Sequence, residues 1–183
     1  MSEAKPVDDR QQMADASKGA KDNMTPENYF STLSVRQGMI AGVIGSFGII
    51  AVITVLALLS GLDPMLSPRF IASVILRDAA WATSAAGSTF AIAIGTLMHV
   101  AAGAFYGAIF AYLMPKMPRG FWFVTGLIFG VVIWGIAAFA LPILTPDNQI
   151  DSLIYTNAQI ISHLIFGITL GVAGSFFGKV EST

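Results

Sequence analysis

Residues 95–111 read GTLMHVAAGAFYGAIFA, and residues 159–175 read QIISHLIFGITLGVAGS. Both contain H-x-x-x-G-x-x-x-G: His99, Gly103 and Gly107 in the first, His163, Gly167 and Gly171 in the second. They hold the two histidines of the chain. On a helix, a four-residue step keeps positions on one slowly drifting face. Small residues along that face let a second backbone come close, which is how helices associate in lipid.

The surrounding composition makes lipid the expected solvent. Of 183 residues, 55% are hydrophobic and 11% charged, with a mean hydropathy of +0.70. Soluble domains carry roughly 25% charged residues, so this is the composition of a membrane protein. A formal net charge of −1 supplies no basic stripe, so no nucleic-acid partner is expected. With no cysteine, the chain has no disulfide, thiolate metal site or cysteine nucleophile.

Residues 1–35 are polar, with Lys5, Arg10, Lys18, Lys21 and six acidic residues. They lack the apolar core of a secretory signal and read as a disordered cytoplasmic tail. Thr25-Pro26-Glu27 and Tyr29-Phe30 suggest a short interfacial helix before the membrane. The membrane domain is placed at 36–178, with 179–183 as a short cytoplasmic tail.

Uncharged runs at 37–62, 79–115, 120–146 and 152–178 each exceed the ~20 residues needed to cross a ~30 Å hydrocarbon core. They are continuously apolar rather than alternating, which favours helices over a barrel. The expected fold is an all-α, four-helix transmembrane bundle with helices near 38–61, 88–114, 120–143 and 156–178. The tail with Arg36 just after it, the Lys116–Arg119 turn and Lys179 place eight of the ten basic residues on one side. The positive-inside rule then puts both termini in the cytoplasm. Tyr112 and Trp122 would flank the inner turn, and Trp81 and Tyr155 the outer ends.

Between the first two spans, Ser67 reads as an N-cap and Pro68 as the first turn of an amphipathic helix to about Ala80. Arg69, Ser73 and Arg77 share one of its faces, as in a helix lying at the outer interface. Pro142, Thr145-Pro146-Asp147 and Asn148 form the other outer turn.

Spans one and three carry stripes of their own: Gly38, Gly42, Ser46 and Ile50, then Trp122, Gly126, Gly130, Trp134 and Ala138. The packing glycines are therefore Gly103, Gly107, Gly126, Gly130, Gly167 and Gly171, and the chain reads as two hairpins related as parallel repeats. Span three and the stripe of span one are also expected to present outward surfaces to partners.

His99 lies 17 residues before Lys116, and His163 lies 16 before Lys179. At ~1.5 Å per residue both sit ~24–26 Å from the inner basic ring. Counting from Arg119 and Arg36 brings Trp134 and Thr54 to the same height, which defines a candidate buried polar layer of Thr54, His99, Trp134 and His163. Up-down-up-down topology makes spans two and four diagonal, so their histidines can face one another.

Ionisable groups inside a membrane are functional candidates by default. Three readings follow. Neutral histidines can fix helix register by hydrogen bonding to Trp134, Thr54, Gln159, Ser162 or water. His99 and His163 can be axial ligands of a b-type haem, with Arg69 or Arg77 meeting propionates. Histidine titration can serve a proton or small-solute path, although the inner halves of the spans offer only Ser175 and Tyr112. Two histidines without further ligands make no zinc site, and no nucleophile–base set is visible, so no metal and no enzyme are expected.

The order His99-x-x-x-Gly103-x-x-x-Gly107, Arg119-Gly120, Phe129-Gly130-x-x-x-Trp134, Leu141-Pro142 and His163-Leu164-x-x-Gly167-x-x-x-Gly171 resembles the YagU-like proteins. These are small four-span bacterial inner-membrane proteins without an assigned reaction, and the resemblance spans about residues 36–178. It implies a bacterial cytoplasmic membrane and four spans, and it supplies no reaction or ligand. The expected role is a non-enzymatic accessory or scaffold protein in the bilayer, self-associating or a subunit of a larger membrane complex. No cofactor is expected, with haem b electron transfer and a small transporter as alternatives.

Overall fold

A computed structural model describes residues 30–144 and 152–178, together with Arg10 and Met13. It is all-α apart from a short two-stranded ribbon. The helices are α1 (Val35–Leu59), α2 (Leu66–Leu76), α3 (Ala85–Leu113), α4 (Phe121–Leu144) and α5 (Ser152–Val172). A 3-10 turn, Arg77–Trp81, follows α2, and a π turn, Ala173–Phe177, follows α5. Four helices are long and apolar enough to cross a membrane, so the chain is a multi-pass bundle. Of the expected outer turn, Pro142 lies within α4 and 145–148 lie outside the described residues; of the expected interfacial helix, Phe30 begins a strand and 25–29 lie outside them.

Local chemistry sets the helix starts. Ser34 and Gln37 form a reciprocal capping box at the head of α1, and the Ser84 hydroxyl accepts the Gly87 N–H at the head of α3. The chain climbs through α1, descends through α3, climbs through α4 and descends through α5. The basal end thus carries the 114–120 turn and both described chain ends, and α2 lies at the distal end.

Each hairpin is zipped by glycines. A Cβ on Gly42 would run into the Gly103 carbonyl, and one on Gly107 into the Gly38 carbonyl, so α1 and α3 meet backbone to backbone. The second hairpin repeats this in register: Gly126 and Gly167 abut each other's carbonyls, and Gly130 abuts the His163 carbonyl. The α1 stripe therefore faces inward against α3, and the α4 glycines face α5. This corrects the outward stripe expected of span one, while α4 turns its glycines to α5 and leaves Phe121, Val124, Ile128, Val131 and Phe139 exposed on its outer side. The hairpins join through α1 and α5, where the Phe166 ring lies over Gly45. Around the bundle the order is α3, α1, α5, α4, which leaves spans two and four diagonal.

Residues 30–34 belong to the fold, which corrects the tail boundary at residue 35. β1 (Phe30–Thr32) pairs antiparallel with β2 (Lys116–Pro118), Ser31 facing Met117. Ser31 is fully buried: its hydroxyl donates to the Gly174 carbonyl at 2.9 Å and accepts the Trp122 indole N–H at 2.7 Å. Trp122 is thus a core residue rather than an interfacial belt residue, stacked near Phe110 and over Gly174. The π turn presents the Gly174 carbonyl to Ser31 and the Phe177 carbonyl to the Gln37 amide.

The α2 segment also departs from expectation. Asp63 begins it, accepting the Met65 N–H through its carboxylate, so Ser67 lies inside the helix and is not its N-cap. The helix packs on α3: the Pro68 carbonyl seats against Gly95, one turn distal to His99. Its polar face turns inward. Ser73 is buried, and Arg69 donates to the Ala80 and Ala82 carbonyls while its guanidinium lies 5.4 Å from the Trp81 ring centre. Those carbonyls supply the partners that water would supply to a surface helix. Arg77, at a φ of 52°, closes the helix and donates to the Leu144 carbonyl at the end of α4.

Gly135 offers an internal control, because a Cβ there meets nothing within 4 Å. Gly126→Ala and Gly167→Ala should each lower thermal stability in detergent by the ~1–3 kcal/mol typical of overpacking. Gly135→Ala should hold or raise it, since alanine is the better helix former. Equal effects at all three positions would show that the hairpins are not in backbone contact.

Candidate functional site: an intramembrane histidine cavity

The four elements that surround the histidines do not close on one another. In the basal half, α3 and α4 meet through aromatic rings, Phe110 against Trp122 and Phe129 at 5.9 and 5.1 Å. Along the rest of their length they do not pack backbone to backbone. Between them lies a cavity of about 270 Å³, near the lower end of the ~300–1,000 Å³ usual for small-molecule sites. Ser46, Ile49 and Ile53 of α1 and Gln159, His163 and Phe166 of α5 form its floor. Met98, His99, Ala102 and Tyr106 line the α3 wall, and Ile133, Ile136, Ala137 and Ala140 the α4 wall. Ser67, Ile71 and Val74 of α2 line it as well, and α3 and α4, which do not pack on each other there, leave a gap on their side.

Sequence spacing placed four polar residues at one height, and the structure distributes them around the axis. His99 and His163 line the same cavity, one from α3 and one from α5. Thr54 lines a much smaller neighbouring space with His99, Ser67 and Pro68. Trp134 is outside the cavity lining, and its indole N–H is buried without a partner. Among the described residues the four side chains form no shared hydrogen-bonded layer. Height follows from counting residues, but azimuth does not, since each residue turns ~100° about the axis.

The two imidazoles differ in their bonding. His163 is buried, and its Nδ1 lies 2.8 Å from the Gln159 carbonyl one turn earlier. A carbonyl only accepts, so Nδ1 carries the proton and the neutral ring presents Nε2 as an acceptor. His99 has no such bond: its Nε2 is buried without a partner. Its backbone carbonyl accepts a long bond from Ser46, whose hydroxyl also donates to Gly42. The Ser162 hydroxyl is spent on the Ala158 and Gln159 carbonyls of its own helix.

Among the described residues no charged side chain lines the cavity. Among the described residues no cluster of three or more potential metal-ligating side chains occurs. Sequence spacing did not single out Tyr106 or the small α4 residues Ala137 and Ala140, and it read Ser46 as part of a packing stripe and Ser67 as a helix cap rather than as cavity residues.

A sequence family described as a family of unknown function, DUF6789, matches residues 33–182. The chain belongs to the DUF6789 family. The match begins at Leu33, a buried residue of the segment that anchors the basal end. No curated protein and no solved structure matches this DUF6789 chain.

In ligand-free protein, His99→Leu should leave thermal stability unchanged or raise it, because it removes an unpaired buried polar atom. His163→Leu removes a made bond and should be the less stable of the two. A marked loss of stability on His99→Leu alone would show that its Nε2 has a partner within the bundle.

Proposed function

We propose that this protein is a non-enzymatic accessory protein of the bacterial cytoplasmic membrane that binds a small membrane-soluble molecule between α3 and α4. One observation carries the reading: both histidines line one apolar cavity walled by two membrane-spanning helices that do not pack on each other beside it. A ligand reaching such a site comes from the bilayer, and small-molecule sites are typically apolar with a few convergent polar groups. The resemblance to YagU-like inner-membrane proteins supports the location. The distribution of basic residues supports an orientation with both termini in the cytoplasm. An accessory subunit of a larger membrane assembly fits a chain whose packing glycines serve its own hairpins.

A bis-histidine haem b is the second reading, favoured by the two imidazoles on one cavity and by the His163 Nδ1 bond, which orients Nε2 as a ligand. The cavity volume weighs against it, since a porphyrin exceeds what ~300 Å³ sites hold. A transport path is disfavoured because Phe110, Trp122, Phe166 and Leu170 fill the interior basal to the cavity.

Organic extracts of protein purified from membranes should contain a small molecule that is missing from Ala137→Phe, which fills the cavity. Identical extracts would remove the binding reading. Oxidised and reduced absorption spectra should show no Soret band, and one lost in His99→Leu would install haem. For orientation, single cysteines at Gly120 and Asp78 have no background in this cysteine-free chain. In intact cells an impermeant thiol reagent should label Asp78→Cys and spare Gly120→Cys, and the reverse pattern would invert the topology.

A further inference from the structure

The bonding of the two imidazoles narrows the class of molecule that the proposed binding site can hold. His163 commits its proton to the Gln159 carbonyl at 2.8 Å, so its Nε2 can only accept. A ligand that satisfies it must bring an O–H or N–H donor. His99 lines the cavity from the α3 wall, with its Nε2 buried and unpartnered, so that atom is not exposed to the cavity and His163 supplies the acceptor. Among the described residues no charged side chain lines the cavity, which favours a neutral ligand, since an unpaired charge would be costly at this depth.

Size and neighbours select further. A space of about 270 Å³ accommodates a compact ring with its tail trailing through the gap between α3 and α4 toward lipid, and not a sterol or a folded acyl chain. Phe166, Tyr106 and Met98 line it, and ring edges and thioethers contact aromatic faces favourably. Phenolic hydroxyls are stronger donors than aliphatic ones and so suit an imidazole acceptor.

We infer that the cavity between α3 and α4 is a binding site for a neutral, membrane-soluble phenol or quinol ring, its hydroxyl donating to His163 Nε2. This rests on the binding function proposed above. His99 lines the same cavity and flanks the ring from α3. The backbone carbonyl of Gln159, a buried residue that lines the cavity, sets the His163 tautomer.

The test compares para-butylphenol with its methyl ether, para-butylanisole, on the purified full chain in detergent, by thermal shift and by titration. The two probes have nearly the same shape and differ in the donor. The phenol should raise the melting temperature saturably, and the anisole should bind at least about tenfold more weakly, the loss expected when a buried acceptor goes unpaired. His163→Phe should abolish the difference between the probes, and Ala137→Phe should abolish both shifts. Equal binding of phenol and anisole to the wild type would overturn the phenol assignment and leave an apolar binding cavity standing. No binding of either probe, with a different molecule recovered in wild-type extracts, would also overturn the assignment alone. No binding of either probe and no extracted molecule would overturn both the assignment and the binding function. The probe comparison is made on the wild type, so it decides the matter even if His163→Phe does not fold.

Discussion

The bundle depends on backbone-to-backbone approach at two glycine seams, Gly42 against Gly103 and Gly126 against Gly167. In lipid there is no hydrophobic gain in bringing two apolar helices together, so close packing and polar contacts must supply the attraction. Removing Cβ atoms where helices cross permits many dispersion contacts, each worth only ~0.1–0.2 kcal/mol. Each hairpin uses its glycines on its own partner, and the two hairpins then join through bulkier contacts such as Phe166 over Gly45. Tight seams within hairpins, and no seam between α3 and α4, are what leave room for a cavity.

The ends of the bundle are held by polar chemistry. At the basal end, Ser31 couples β1, α4 and the π turn through two hydrogen bonds made by one hydroxyl. A buried indole N–H and a buried carbonyl would otherwise be unpaired in a region without water. At the distal end, Arg69 and Arg77 each use backbone carbonyls to fix α2 and its return turn. That arrangement places the Pro68 carbonyl against Gly95 and lets α2 line the histidine cavity.

The four spans were legible because hydropathy over twenty residues is a strong, additive signal, and their ends agree to within a few residues. The seams were legible for a related reason: four-residue glycine spacing has few other uses on four successive helices. Ser31 was not legible. A lone serine in a polar stretch shows no periodicity, and its burial depends on an indole 91 positions away. The inward turn of Arg69 escaped as well, because an arginine in an amphipathic pattern says nothing about carbonyls that will meet it. At the site, residue counting brought His99 and His163 to one height but could not separate them from Trp134 and Thr54, which lie at other azimuths. The tautomer of His163 was out of reach, since it is set by a backbone carbonyl and not by a side chain.

The functional account turns on that tautomer. If Nδ1 of His163 is bonded to its own helix, Nε2 meets the cavity as an acceptor, and the choice of ligand follows. Nitrogen NMR of protein labelled at histidine addresses this directly, because the chain holds two histidines and His99→Leu assigns the remaining signal. In the neutral, ligand-free protein the account predicts a protonated Nδ1 and an unprotonated Nε2 at His163. A proton found on Nε2, with Nδ1 bare, would contradict it.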